Sequence, residues 1–528
     1  MTTPMLFTST DFLFGFLPVC LVGFYGLAKI NRQWAETYLL LGSLVFYGWS
    51  NFQNVPLLAG SIIFNYYAGN QIRALADRGL GRAAASWCSF GIFVNVALLI
   101  YFKYTNFILD NVNVAFGTEF VFRQIILPLG ISFYSFQRIA YLIDCARGEI
   151  RKSNFLDFSL FALFFPQLIS GPIVLYNEIA PQFEGRRFIP GANYNLLAGV
   201  VIFTIGLFKK IVIADNTAFI ANPLFDAASR GTPLDVLSGW LAALSFTIQL
   251  YFDFSGYSDM AIGLARMFGI LLPLNFHSPL KATNIADYWR RWHMTLNRFM
   301  LSYFYQPLAL ALTRKAVGMS LSRWPNFIIS VVLPAFATFV VIGAWHGAGW
   351  TFVLFGLMHA TYVCTAEAWR EFRRQRRKRL KVSDRGTRPS VLGRTLAHVT
   401  TLVCVLLANV MFRADRVATA GVIYRGMFGL TGGEHIVLPE VIRPEALFFV
   451  LLGCLVIAVM PNTQQFMGAY RSAVNWRQWR NVVPSLITWQ WRPNIIGLAS
   501  IGMLAAVVIT ATLMGISREP AQFLYFKF

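Results

Sequence analysis

Six histidines occur in the chain, and three stand where an imidazole could do chemistry. His346 lies in Gly343-Ala344-Trp345-His346-Gly347-Ala348-Gly349-Trp350, between two apolar runs. Glycines allow close approach of backbone or substrate, Trp345 and Trp350 supply walls that exclude water, and an imidazole with an ordinary pKa of about 6.5 accepts a proton from a hydroxyl at neutral pH. The same spacing also describes a small-residue helix contact through Gly343 and Gly347, with His346 bonded to a neighbouring carbonyl. His293 closes Asp287-Tyr288-Trp289-Arg290-Arg291-Trp292-His293, where Trp289 and His293 are four residues apart and share a helix face flanked by Arg290 and Arg291. Such a cationic, aromatic turn suits an anionic, phosphate-bearing thioester, and it also suits an anchor at a membrane interface. His359 follows His346 by thirteen residues. On a continuous helix that spacing places it about 220° around and roughly 20 Å along, so the two cannot pair on one straight helix. The expected couple is His346 with His293, and His359 is expected to orient a neighbour or to pack.

The remaining histidines read more plainly. His277, in Asn275-Phe276-His277-Ser278-Pro279, is expected in a structural turn, His398 at an interface, and His435 in a solvated Gly-rich loop. Acids are sparse. Asp215, Asp253, Asp259 and Asp287 are expected to pair with the lysines and arginines already in view, among them Lys209 and Lys210. Phosphate-loop, nucleophile-elbow, zinc-protease and EF-hand spacings are missing, so nucleotide hydrolysis, serine hydrolysis and zinc chemistry lack support and no metal is expected. The six cysteines are scattered without a C-x-x-C pair and read as small core residues.

These groups must be held by membrane helices. Hydrophobic residues make up 56% and charged residues 13% of the 528 residues, against roughly 25% charged in a soluble protein. Mean hydropathy is +0.54. The chain therefore reads as an all-α polytopic membrane protein, since irregular backbone facing lipid leaves polar groups unpaired. Apolar runs from Phe12 onward recur almost without pause and predict roughly ten to twelve crossings of about 20 residues each. Breaks at Pro128-Leu129-Gly130, Gly171-Pro172 and Gly343 to Gly349 predict re-entrant or tilted segments. The first run, Phe12 to Leu27, lacks a cleavage pattern and reads as a span with its N-terminus outside and Lys29 and Arg32 inside.

The net charge of +21 would raise the question of nucleic acid in a soluble protein. Here eleven basic residues fall between Arg370 and Arg394. They mark a basic cytoplasmic loop, residues 370–394, meeting anionic lipid headgroups and dividing an N-terminal transmembrane block (1–369) from a C-terminal one (395–528). No nucleic-acid partner is expected.

Several segments together resemble the membrane-bound O-acyltransferase superfamily, in its bacterial branch of alginate O-acetylation proteins, with teichoic acid D-alanyl transfer proteins more distant. They are Leu127 to Tyr134, Phe165 to Ile173, Gly206 to Lys210, Tyr251 to Gly263, Trp289 to Leu296, Trp345 to His359, Met411 to Asp415 and the terminal Phe523 to Phe528. The resemblance implies a ring of transmembrane helices around a thin centre with a catalytic tunnel, where a cytoplasmic donor meets an extracytoplasmic acceptor. It makes His346 the counterpart of the family's essential histidine, and His293 the histidine of its Trp-Arg-Arg-Trp-His motif. The chain departs from the family at Met300 to Tyr303 and Leu308 to Leu312, where an Arg-Asp pair and a Gly-Gly-Asn turn are usual, and at Leu280, where a Tyr is usual. These departures spare both histidines and bear on partner contacts and polymer identity.

The resulting expectation is a multi-pass O-acyltransferase of the bacterial cytoplasmic (inner) membrane, with its acyltransferase core in residues 1–369. It would move an acyl group, in the first instance acetyl, from a thioester donor, acetyl-CoA, to a hydroxyl of an exopolysaccharide or cell-envelope polymer. The transfer would run directly or through an extracytoplasmic acetyltransferase partner protein, with no bound cofactor. His346 would act as general base and His293 by polarisation or proton relay, with Trp289, Arg290, Arg291, Trp292, Trp345, Gly347, Trp350 and His359 as substrate-binding candidates. Two alternatives stay open: a transporter or channel, for which intramembrane ionisable groups are equally expected, and acylation of a lipid or a protein.

Overall fold

A computed structural model describes residues 5–120, 125–184, 192–380, 390–431, 444–479, 486–487, 489–515 and 523–524. Among these residues all regular structure is helical and no strand occurs. The first helices are α1 (Leu17–Ile30), α2 (Arg32–Asn51), α3 (Val55–Asp77), α4 (Gly81–Phe116) and α5 (Ile131–Ala146). Three short helices follow: α6 (Phe155–Leu163), α7 (Phe165–Leu168) and α8 (Tyr176–Glu184). They lead to α9 (Ala192–Leu207), α10 (Asp215–Ser229) and α11 (Val236–Met267). The motif-bearing segment forms α12 (Ile285–Arg291) and α13 (Met294–Met300), and then come α14 (Gln306–Gly318), α15 (Arg323–Phe327), α16 (Leu333–His346) and α17 (Trp350–Arg379). The chain continues through α18 (Val391–Arg413), α19 (Val417–Met427), α20 (Pro444–Val459), α21 (Thr463–Phe466), α22 (Trp476–Trp479) and α23 (Ile495–Gly515).

Six of the described helical segments are long and apolar enough to cross a bilayer: Asp11–Ile30, Gly81–Phe116, Asn193–Ser229, Arg323–His346, Val391–Arg413 and Ile495–Thr512. Leu447–Val459 is apolar but shorter. The expected ten to twelve crossings thus meet six that satisfy length and apolarity. The difference has a physical source. Helices α3 and α11 bury Asn65, Asp253 and Asp259 against other helices, which lowers their apolarity although the side chains face protein, and α5, which buries Arg138, is only 16 residues long.

Helix α11 is the hub, buried almost without interruption from Ser245 to Met267. Helix α9 lies directly against it. A methyl added at Gly199 would come 2.6 Å from the Gly263 carbonyl, and one at Gly206 would come 2.6 Å from the Gly256 carbonyl. Two glycine pairs, seven residues apart on each helix, thus let the backbones touch, the close approach that membrane helices use when no hydrophobic force draws them together. Just beyond α9, Lys210 pairs with Asp215 at 2.6 Å and Asp253 at 2.7 Å, and Lys209 with Asp259 at 2.6 Å. The expected acid–base pairing holds, since an unpartnered charge at this depth is costly.

The expected basic loop is corrected in part. Arg370 to Arg379 form the last turns of α17 rather than a loop, because Arg, Lys, Gln and Glu are strong helix formers and extend a helix already nucleated by apolar packing. Lys381, Arg385 and Arg388 lie outside the described residues, as do His435 and the terminal Tyr525 to Phe528.

Candidate active site

Helix α16 ends on His346. The next residues are extended, with φ −165° at Gly347 and −170° at Gly349, and α17 starts at Trp350. The chain then doubles back. A methyl at Gly343 would lie 2.2 Å from the Phe352 carbonyl, and one at Gly356 would lie 2.3 Å from the Phe339 carbonyl. The small-residue contact anticipated for Gly343 therefore exists, but with Gly356, and Gly347 is outside the helix. A methyl at Gly347 would meet the Phe352 ring at 2.1 Å, so only glycine fits there without displacing that ring.

This break overturns the helical-phase argument for His359. His346 and His359 sit on two helices folded against each other, and the Phe355 ring stands between them, 5.9 Å from His346 and 4.6 Å from His359. His359 is buried among aromatic rings, and its Nδ1 accepts a hydrogen bond from Trp289 Nε1 at 3.1 Å.

His293 is placed by a second break. Helix α12 stops at Arg291, Trp292 is extended, and His293 takes a left-handed conformation at φ 43° before α13. The expectation that Trp289 and His293 share a helix face is therefore wrong, because the helix ends between them. Trp289 turns to His359, while His293 turns toward Trp345, with ring centroids 5.8 Å apart. A β-like pairing secures the turn: His277 N donates to the Arg291 carbonyl at 3.0 Å and Met294 N to the Asn275 carbonyl at 2.9 Å. His277 thus has the structural role expected of it. The Asn275 side chain completes the turn. Its Nδ2 donates to Ser258 Oγ at 3.1 Å, and its Oδ1 accepts from Thr295 Oγ1 at 2.9 Å and from His293 Nδ1 at 3.0 Å. An amide oxygen only accepts, so Nδ1 of His293 carries the proton and Nε2 carries the lone pair.

Trp345 joins the two histidines. Its ring lies 5.0 Å from the His346 ring and 5.0 Å from Phe133, and its Nε1 donates to the Ser132 carbonyl at 3.3 Å. Phe412 closes the other side of His346 at 5.1 Å. Only 0% of His293 and 4% of His346 is exposed. Among the described residues, both imidazoles are thus enclosed by ring packing. A small cleft lies apart, lined by Lys209, Tyr251, Ser278, Leu280, Met460 and Asn462. Its Tyr251 ring lies 6.4 Å from the Trp292 ring.

The other candidates divide. Trp292 is buried, stacked on Tyr288 at 5.7 Å and set edge-on to Phe276 at 5.0 Å. Arg291 is held by Asp287, Nε to Oδ2 at 2.9 Å, so its charge is already engaged, whereas Arg290 stays largely exposed and meets Asp287 at 3.3 Å. Trp350 is not a wall of the centre. It is 59% exposed, and its Nε1 donates to Asn111 Oδ1 at 3.0 Å, because the extended Gly347–Gly349 segment carries the chain outward before α17 begins.

Sequence reasoning does not single out three residues of the cluster. Asn275 reads only as part of a turn, and Lys103 and Tyr104, in Tyr101-Phe102-Lys103-Tyr104, merge into a long apolar helix. Lys103 Nζ donates to the Trp345 carbonyl, and Tyr104 Oη to the Ala344 carbonyl. The available signal was a lysine inside an apolar span, which calls for a partner or a role.

The sequence model of MBOAT, the membrane-bound O-acyltransferase family, matches residues 84–385. A Helicobacter pylori protein named Peptidoglycan O-acetyltransferase is 40% identical over 456 residues, covering 81% of this chain and 80% of the relative. An Azotobacter vinelandii protein named "Probable alginate O-acetylase AlgI" is 37% identical over 429 residues, 80% of this chain and 78% of the relative. A Bacillus subtilis Teichoic acid D-alanyltransferase is 31% identical over 243 residues, 45% of this chain and 58% of the relative.

Proposed function

Because the chain belongs to the membrane-bound O-acyltransferase family, we propose that it moves an acetyl group from acetyl-CoA, on the cytoplasmic side, to a hydroxyl of a cell-envelope polymer on the other side. Membership makes it a membrane-embedded acyltransferase and closes the transporter alternative. The acceptor is peptidoglycan or an exopolysaccharide, reached directly or through an extracytoplasmic partner protein, and the membrane is the bacterial cytoplasmic membrane. The relatives named for peptidoglycan and alginate acetylation support that choice.

One observation carries the reading: two buried imidazoles, His293 and His346, flank the single ring of Trp345 at a broken helix end. In the reaction, the acceptor oxygen attacks the thioester carbonyl while its proton passes to His346. A tetrahedral intermediate forms, the C–S bond breaks, and the thiolate leaves with a proton returned from the imidazole. His293, its Nδ1–H held on Asn275, orients or relays that proton through Nε2. The surrounding rings keep water from intercepting the acyl group. Exposed Arg290 and the basic end of α17 supply positive charge where the phosphates of a coenzyme thioester would arrive.

The test uses purified protein in vesicles of known orientation, with radiolabelled acetyl-CoA on one side and peptidoglycan or alginate on the other, and reads hydroxylamine-labile acetate on the polymer. His346→Ala, which removes one imidazole and little apolar contact, is expected to lower transfer by about 10²- to 10⁴-fold at normal abundance. Near wild-type transfer by a well-inserted His346→Ala protein would overturn the assignment. Product formed only when donor and acceptor share a side would overturn transfer across the membrane.

A further inference from the structure

The end of α16 poses a problem that another helix solves. The last four carbonyls of any helix lack intrahelical donors. In α16 they belong to Gly343, Ala344, Trp345 and His346, and the extended Gly347–Gly349 segment cannot continue the ladder. At membrane depth water does not readily make up the deficit, and an unsatisfied carbonyl is costly. Helix α4 supplies two donors in sequence: Tyr104 Oη bonds the Ala344 carbonyl, and Lys103 Nζ bonds the Trp345 carbonyl. Lys103 Nζ also lies 3.5 Å from Ser132 Oγ, at the start of α5, whose backbone carbonyl receives the Trp345 indole. Its amine is buried, with the residue 9% exposed. Among the described residues, Lys103 pairs with no carboxylate. An ammonium here faces the negative end of the α16 dipole, the favourable location for a cation.

We infer that Lys103 is a positioning residue for His346: it holds the final turn of α16 through the Trp345 carbonyl and thereby sets the imidazole against the reacting atoms. The inference rests on the reading of His346 as the reacting imidazole. Lys103 itself takes no part in proton transfer. It governs the rate because a displacement of about 1 Å at a reacting group costs roughly 100-fold. Loss of Lys103 should therefore lower kcat and spare donor binding, since the carbonyl it holds belongs to the end of α16.

The experiment compares Lys103→Met, Lys103→Arg, Tyr104→Phe and His346→Ala in the vesicle assay, separating kcat from the KM for acetyl-CoA at matched abundance. Lys103→Met is expected to lower kcat about 10- to 100-fold with KM within about twofold, and Lys103→Arg, which keeps a charged donor, to recover most of that loss. Tyr104→Phe should show a smaller fall in kcat of the same kind. If Lys103→Met does not accumulate, Tyr104→Phe and Lys103→Arg carry the test, and an unchanged kcat in Tyr104→Phe overturns the inference. It is also overturned by wild-type kcat in Lys103→Met, or by a loss in Lys103→Arg equal to that in Lys103→Met. Wild-type kcat in Lys103→Met beside an inactive His346→Ala protein removes only the role of Lys103. An active His346→Ala protein removes the functional reading with it.

Discussion

Asn275 shows how one amide can decide what a histidine does. Its oxygen accepts from His293 Nδ1 and from Thr295 Oγ1, so it selects the ring tautomer and holds the ring while the backbone turns through a left-handed residue. An orienting acceptor of this kind acts through its partner. Asn275→Leu, of similar volume, is expected to lower acyl transfer by about 10²-fold or more. In a His293→Ala background the same change should add little, because the group it orients is already gone. Transfer rates of the two single variants and the double variant check this, and fully additive losses would place Asn275 in another role. His346 and His293 could be singled out from their neighbours, since a histidine between glycines and tryptophans in an apolar chain demands an explanation. Asn275 was not legible, because it lies 18 residues from His293 and no local spacing links the two.

Between helices, the decisive feature is the crossing of α16 and α17. It explains why helical phase misplaces His359: the 220° separation assumes an unbroken helix, whereas the Gly347–Gly349 segment folds α17 back along α16. Gly343 and Gly356 allow that contact. Gly343→Val would drive side-chain carbon into the Phe352 carbonyl, where even a single methyl would stand only 2.2 Å away, and is expected to cost about 1–3 kcal/mol. A lowered melting temperature in detergent is the readout. Gly502→Ala in α23, where a methyl meets nothing within 4 Å, is the control and should leave the melting temperature unchanged or slightly raised. The motif around His293 teaches the same lesson. A four-residue spacing predicts a shared face only while the helix lasts, and α12 ends two residues before the histidine.

Across the whole molecule, charge and apolarity set orientation. The basic end of α17 extends a helix whose first turns pack beside the histidine cluster, so one continuous element runs from the centre to a strongly positive surface. Clustered Lys and Arg mark the cytoplasmic side. Lys378→Cys, at an exposed position, is therefore expected to react with an impermeant maleimide only after cells are permeabilised, measured against the parent protein with its six native cysteines. Labelling in intact cells would reverse the orientation. Composition alone settled that the chain is a helical membrane protein, because 13% charged residues cannot cover a soluble surface, and its local motifs settled the family and singled out His346 and His293. Those properties are additive along the chain or confined to a few neighbouring residues, so they survive without knowledge of the fold. The link from His293 through Trp345 to His346, the arrival of His359 at the same cluster, the outward turn of Trp350 and the grip of Lys103 on the end of α16 all join distant segments. They depend on where two helices break and which backbones approach closely, and tertiary packing alone sets both.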